Sequence, residues 1–173
     1  LWSEVNFLQV YSQNTLYIPI FKKIRSLISV KFGFSATYGA TRDQSFLIPI
    51  EKRFRLGGSY SLRGFPRNSV GGLASDEPAV GGSDPDDQAP GGNSVFNYNV
   101  EFIFPVILNF DLVLFTDGGE AWESNSDFNP FDIRNTAGFG LRYNTPVGPL
   151  RLDIGFVLDR RSGEEWGAIQ FAV

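Results

Sequence analysis

The 173 residues include no cysteine, no histidine and no methionine. Without the first two, zinc sites of the usual ligand sets, thiol chemistry, histidine acid–base catalysis and every serine–histidine triad are excluded. Sites built on carboxylates or lysine stay open. The lack of cysteine also removes any disulfide framework, and so does not fix the compartment. No apolar run approaches the roughly 18 residues of a membrane-spanning helix, which leaves strands as the one route through a bilayer. Cations are in the minority, with 15 Lys and Arg against 19 Asp and Glu and a net charge of −4, so nucleic acid is not an expected partner. No initiator methionine or basic, apolar leader opens the chain. "LWSEVNF" starts within a strand-like pattern, as expected of a piece of a longer protein.

What is abundant is glycine (19), phenylalanine (17) and proline (10), a profile suited to strands and turns rather than helices. Leu27 to Gly39 places Ile28, Val30, Phe32, Phe34, Ala36 and Tyr38 on one face and small or polar residues on the other. Period two is the strand signature. The split recurs in Val95 to Phe104, where Phe96, Tyr98, Val100, Phe102 and Phe104 oppose Asn97, Asn99 and Glu101. It recurs again in Ala137 to Tyr143, in Leu150 to Leu158 and in the closing "WGAIQFAV". Glu4 to Ile20 and Phe110 to Asp117 are less regular strands. The expected strands mostly run to about 9–13 residues, near the roughly 9–11 that cross a bilayer at a tilt and above the 5–6 typical of soluble proteins.

Short turns ("FKK", "VILN", "TPVG") alternate with long connections at 40–94, 123–134 and 159–165. Strict alternation of this kind marks outer-membrane barrels, with short periplasmic turns and long outside loops. The last strand then runs inward, and so does the first. Single-chain bacterial barrels use an even number of strands, so an odd number is expected before Leu1. A soluble sandwich or lipocalin-like barrel would instead turn the apolar faces inward. Lys31, Glu101, Arg142, Arg151 and Asp153 on the opposite faces suit a wet lumen better.

Five segments, in order, resemble one family. "FRLGGSYSLRGF" (54–65) is similar to the arginine motif in the sixth outside loop of BamA-type outer-membrane assembly factors, a superfamily that includes TamA, two-partner-secretion transporters and organelle import barrels. "GGN" with "NVEFIFPV" (91–93, 99–106), "LVLFTDGGEAW" (112–122), "GFGLRYNTPVGPLRLDIGFVLDR" (138–160) and "WGAIQFAV" (166–173) resemble its following strands. The resemblance implies an all-β transmembrane antiparallel barrel of which this chain is about the last seven strands, in a total of roughly sixteen. Two features depart from the family: the chain stops at Val173 where the last strand normally runs on, and the insert 71–92 is unusually long and acidic.

Strand parity puts Glu101 on the lumen face with Asn97 and Asn99, and gives Asp117 the parity of Asp111. Two inward carboxylates need a cation. The resemblance implies that the motif arginine, Arg63, folds back into the lumen and meets both acids, as a guanidinium fork can and a lysine cannot equally well. Gly64 and Phe65 complete that lock, and Gly57 and Gly58 give the loop backbone freedom and close approach. By spacing alone, Arg63 reads equally well as a solvated loop residue beside a wet pore. Trp166, Gly167, Ala168, Ile169, Gln170 and Phe171 form the strand expected to border a lateral seam, where Gly167, Ala168 and Ala172 give little bulk to hold it by packing.

Other groups carry less. Asp84, Asp86 and Asp87 could hold a hard cation but lack the spacing of an EF-hand and suit a flexible acidic loop better, so no metal or cofactor is expected. Glu164 and Glu165 read as solvated charges, and Trp122 and Trp166 as interfacial belt residues. The resemblance implies a non-enzymatic insertase in the bacterial outer membrane that augments client strands at its seam. Its partners would be unfolded barrel clients, periplasmic repeat domains of the same chain, accessory lipoproteins and the bilayer. A TamA-like factor, a two-partner-secretion transporter or a passive porin are the alternatives on the same scaffold.

Overall fold

The computed structural model describes residues 5–21, 23–42, 48–73, 78–79, 88–146 and 148–173. The aspartates at 84, 86 and 87 lie outside that set. Seven strands form one antiparallel sheet in chain order: β1 (Phe7–Phe21), β2 (Ile24–Thr37), β3 (Ser94–Ile107), β4 (Phe110–Trp122), β5 (Arg134–Thr145), β6 (Gly148–Val157) and β7 (Gly167–Ala172). Each strand pairs only with its sequence neighbours, so β1 and β7 are the two edges of the sheet. Short turns at one end alternate with the connections 38–93, 123–133 and 158–166 at the other.

The strands extend beyond their alternating runs. β4 continues through "GGEAW" to Trp122 because Gly119 still pairs with Asn97 on one side and Arg134 on the other. Glycines there carry no alternation signal, yet their backbones hold the ladder. β7 is the short one, paired with β6 from Phe156↔Gly167 to Arg151↔Ala172.

The two faces are inverted relative to a soluble protein. Phe102, Leu114, Phe139 and Phe171 are 41%, 46%, 44% and 66% exposed, whereas Asn97, Asp117 and Asp153 are buried to 1% or less. A soluble sandwich would show the reverse, since charged residues are almost never fully buried unless paired. Apolar side chains outward and polar ones inward suit a sheet wrapped by lipid around a polar interior.

Inside the sheet, a cluster of buried apolar residues among those described joins loop to wall. Leu56, Leu62, Phe65 and Val70 of the long connection pack on Val95 of β3 and Ala121 of β4. At the outer end, Phe128 lies between Phe34 (ring centroids 5.1 Å) and Trp122 (4.8 Å), fastening the 123–133 connection to β2 and β4. Trp122 is therefore covered and buried rather than lipid-facing, while Trp166 is exposed and rests on Phe156 at 5.4 Å.

Candidate functional site

Residues 54–72 of the long connection form an irregular hairpin that descends into the concave side of the sheet. Its legs are pinned by the bridges Phe54↔Gly92 and Leu56↔Val70, and its tip is closed by the Gly58 amide donating to the Phe65 carbonyl at 3.0 Å. Gly57 sits at φ +109°, and a Cβ there would fall 2.0 Å from the Pro66 carbonyl oxygen. Only glycine fits that turn without displacing backbone. Lys31 of β2 donates from Nζ to the Tyr60 carbonyl, holding the tip from the side.

The tip delivers Arg63 to the wall. Its Nε donates to Asp117 Oδ2 at 2.8 Å and its Nη2 to Asp117 Oδ1 at 2.6 Å, a bidentate pair, while Nη1 reaches Glu101 Oε1 at 2.5 Å. Its own backbone N–H adds a 3.2 Å bond to Asp117 Oδ2. The guanidinium lies 3.6 Å above the Phe115 ring, and only 1% of the residue is exposed. Burial alone would lower the Arg63 pKa; the Asp117 hydrogen bonds and the charges of Asp117, Glu101 and Asp153 outweigh it and raise it. The arginine is therefore a fixed cation.

Glu101 and Asp117, both singled out in the sequence, thus meet Arg63 on β3 and β4. The wall also supplies groups that sequence reasoning left unassigned. Asp153 of β6 lies 3.6 Å from Arg63 and takes a bidentate pair from Arg142 of β5, while Arg151 donates to Glu101 at 3.1 Å. Three guanidinium groups and three carboxylates make a neutral cluster. Parity already placed these residues inward; only the register of four adjacent strands brings them together. Asn99 Nδ2 completes Asp117 by donating to Oδ1 at 2.9 Å and to the Ser61 carbonyl at 2.6 Å.

Glycines make the room. A Cβ at Gly140 would sit 1.8 Å from Asp153 Oδ1, and one at Gly155 would sit 2.6 Å from the backbone of Arg63. A Cβ at Gly64 would meet the Thr136 methyl at 2.8 Å, so at this residue the backbone of the tip lies directly against β5. In "DGG", Asp117 receives the arginine, Gly118 leaves the outer face free for the Tyr98 ring, and Gly119 admits Leu56.

β7 is joined to the same loop. Gln170 faces inward between Ala168 and Ala172 and donates from Nε2 to the Phe65 carbonyl at 3.0 Å, with Ser59 at 3.4 Å from its oxygen. Ile169 and Phe171 point outward, each 66% exposed, and Gly167 lies against the Gly155 carbonyl. One expectation is corrected: the Glu164 side chain is only 3% exposed and paired to Arg134, not solvated, whereas Glu165 is exposed. One of two adjacent glutamates in a charged loop gives no sign of a partner 30 residues upstream.

The Omp85 superfamily domain matches residues 1–173. The outer membrane protein assembly factor BamA of Nitratidesulfovibrio vulgaris is 31% identical over 147 residues, 79% of this chain and 17% of that protein. BamA of Neisseria meningitidis serogroup B is 24% identical over 198 aligned positions, 98% of this chain and 24% of its own length. The chain thus spans about a fifth of these relatives. The crystal structure of Haemophilus ducreyi BamA lacking POTRA domains 1–3 superposes with a TM-score of 0.74 at 23% identity, covering 97% of this chain and 35% of that one. CdiB from Acinetobacter baumannii superposes at 0.59 with 14% identity, over 96% and 26% of the two chains. Ordered strands, inverted faces and the full-length domain match together assign the fold: the chain belongs to the Omp85 superfamily, as a C-terminal part of its outer-membrane β-barrel.

Proposed function

We propose that the chain contributes the final strands, seam and internal lock of a barrel that inserts other β-barrel proteins into the outer membrane. The observation that carries this reading is the two-sided attachment of one loop tip. Arg63 grips β3 and β4 through Glu101 and Asp117, and the adjacent Phe65 carbonyl accepts from Gln170 on the edge strand β7. The assembly role of the matching BamA proteins supports it.

Backbone N–H and C=O groups cannot be left unpaired in lipid. An edge strand such as β7 offers an incoming client a template for strand addition once its barrel partner moves away. Its inner face of Ala168 and Ala172 holds it weakly by packing, so Gln170 and the backbone ladder carry the attachment. The work is strand exchange, and no step in it needs a nucleophile or a cofactor. Clients would be unfolded outer-membrane barrels, delivered by periplasmic repeat domains upstream in the same chain and by accessory lipoproteins.

The test uses the full-length protein in liposomes with a denatured client barrel, folding being followed by heat-modifiable gel mobility. A disulfide between a cysteine at Ile169 and the first barrel strand should block client insertion, with recovery on reduction. Undiminished insertion by the cross-linked barrel would overturn the reading. Export of a secreted passenger instead of barrel insertion would identify the transporter alternative.

A further inference from the structure

A second arginine, at the outer end of the sheet, is buried as deeply as Arg63. Arg134, the first residue of β5, is 2% exposed. Its Nη1 and Nη2 donate to Glu164 Oε1 and Oε2 at 2.8 and 2.6 Å, the paired fork that fixes orientation as well as distance. Its Nε lies 3.4 Å from Asp159 Oδ1, and its guanidinium covers the Phe65 ring at 4.7 Å. Arg134 is thus clamped between the last outer connection and the aromatic residue of the loop tip.

Glu164 gathers more than the arginine. Its Oε1 accepts from the backbone N–H of Ala79 at 2.6 Å, and its Oε2 from that of Arg161 at 2.8 Å. Asp159 accepts from the Asn135 backbone N–H at 2.9 Å. Two acids of the 158–166 connection therefore tie β5, the insert of the long connection and the connection's own turn into one joint. Two residues separate Glu164 from β7, and the carbonyl of the second, Trp166, accepts from the Val157 amide at 3.0 Å.

We propose that Arg134 and Glu164 form an outer latch that positions β7: it sets where the outer end of the edge strand lies and seats the 158–166 connection on the loop tip. The Arg63 lock holds the tip against the wall, whereas the latch holds the roof and the seam strand to the tip. Arg134 and Glu164 are positioning residues, acting through Phe65 and Trp166. The link to seam opening rests on the insertase reading above; the latch itself does not.

Hydrogen–deuterium exchange on the full-length protein in nanodiscs tests it, comparing wild type with Glu164→Gln, Arg134→Lys and the exposed-site control Glu165→Gln. Glu164→Gln should speed exchange at 157–166, at Ala79 and through β7 by about tenfold or more, the factor that corresponds to about 1.4 kcal/mol of local stability. Arg134→Lys, which keeps the charge and loses the fork, should fall between, and the control should match wild type. Unchanged exchange at 157–166 would overturn the latch. Faster exchange in the connection with an unchanged β7 would overturn its positioning role. Barrel insertion by the same variants is a separate readout: failure of every protein, wild type included, to insert clients would count against the insertase reading and leave the exchange result to judge the latch.

Discussion

Arg63 uses all three guanidinium nitrogens and its own backbone amide on two carboxylates, which explains why a flexible ammonium would not replace it. Arg63→Ala strips the buried Asp117 of its guanidinium fork, while Glu101 keeps Arg151, and is expected to cost about 3–5 kcal/mol, with Arg63→Lys intermediate. Urea unfolding of the full-length barrel in detergent checks the size; equal midpoints for all three proteins would refute it. At the outer end, Glu164 is held down to about 2 from an ordinary value near 4.5: burial alone would raise it, but the Arg134 fork and the Arg161 and Ala79 amides lower it further. A depressed carboxylate binds fewer protons folded than unfolded, so its contribution is complete above about pH 4.5 and is lost as the pH falls toward 2. Its charged partner is Arg134, which Asp159 also approaches at 3.4 Å. Loosening of the 158–166 connection between pH 5 and pH 3 should be visible by exchange in wild type and flattened in Glu164→Gln. The sequence made Arg63, Glu101 and Asp117 legible because motif and parity both pointed at them. Asp153, Arg142 and Arg134 were visible as charges, but their partners depend on strand offsets that no single strand encodes.

Between strands, the recurring device is a glycine opposite a charged or bulky group. Gly140 makes space for Asp153, and Gly155 for the Arg63 backbone. Gly155→Ala should push the tip off β6 while leaving every ion-pairing residue in place, at a cost of about 1–3 kcal/mol for overpacking. The expected signature is faster exchange at 59–65 and reduced client insertion; wild-type behaviour in both would show that the tip tolerates a methyl. Seven strands were legible from their alternation because an inward face of polar residues and an outward face of apolar ones give period two throughout. Their ends were not: β4 runs on to Trp122 and β5 starts at Arg134, through glycine and polar residues held by the ladder and by the loop they face. β7 is shorter than its sequence pattern for a related reason: Trp166 belongs to the alternation but joins β6 only through its carbonyl, which accepts from the Val157 amide.

At the scale of the whole molecule, the protein turns its oily surface outward and gathers a small apolar cluster where the loop meets the wall. Replacing residues 59–64 with a short glycine–serine linker in the full-length barrel should open a passage, read as a steady rise in single-channel conductance across a planar bilayer. Equal conductance before and after would show that the tip does not obstruct the interior. The register of the sheet has one more consequence. Asn99↔Asp117 and Gly140↔Asp153 are opposite pairs in antiparallel ladders, and side chains alternate between faces with every residue. A slip of β4 by one position would turn Asp117 toward lipid and put Thr116 or Gly118 in its place, leaving Arg63 no carboxylate fork to enter. The loop can dock in this way only on a correctly aligned sheet, so the Arg63 fork discriminates the native register from its one-residue neighbours.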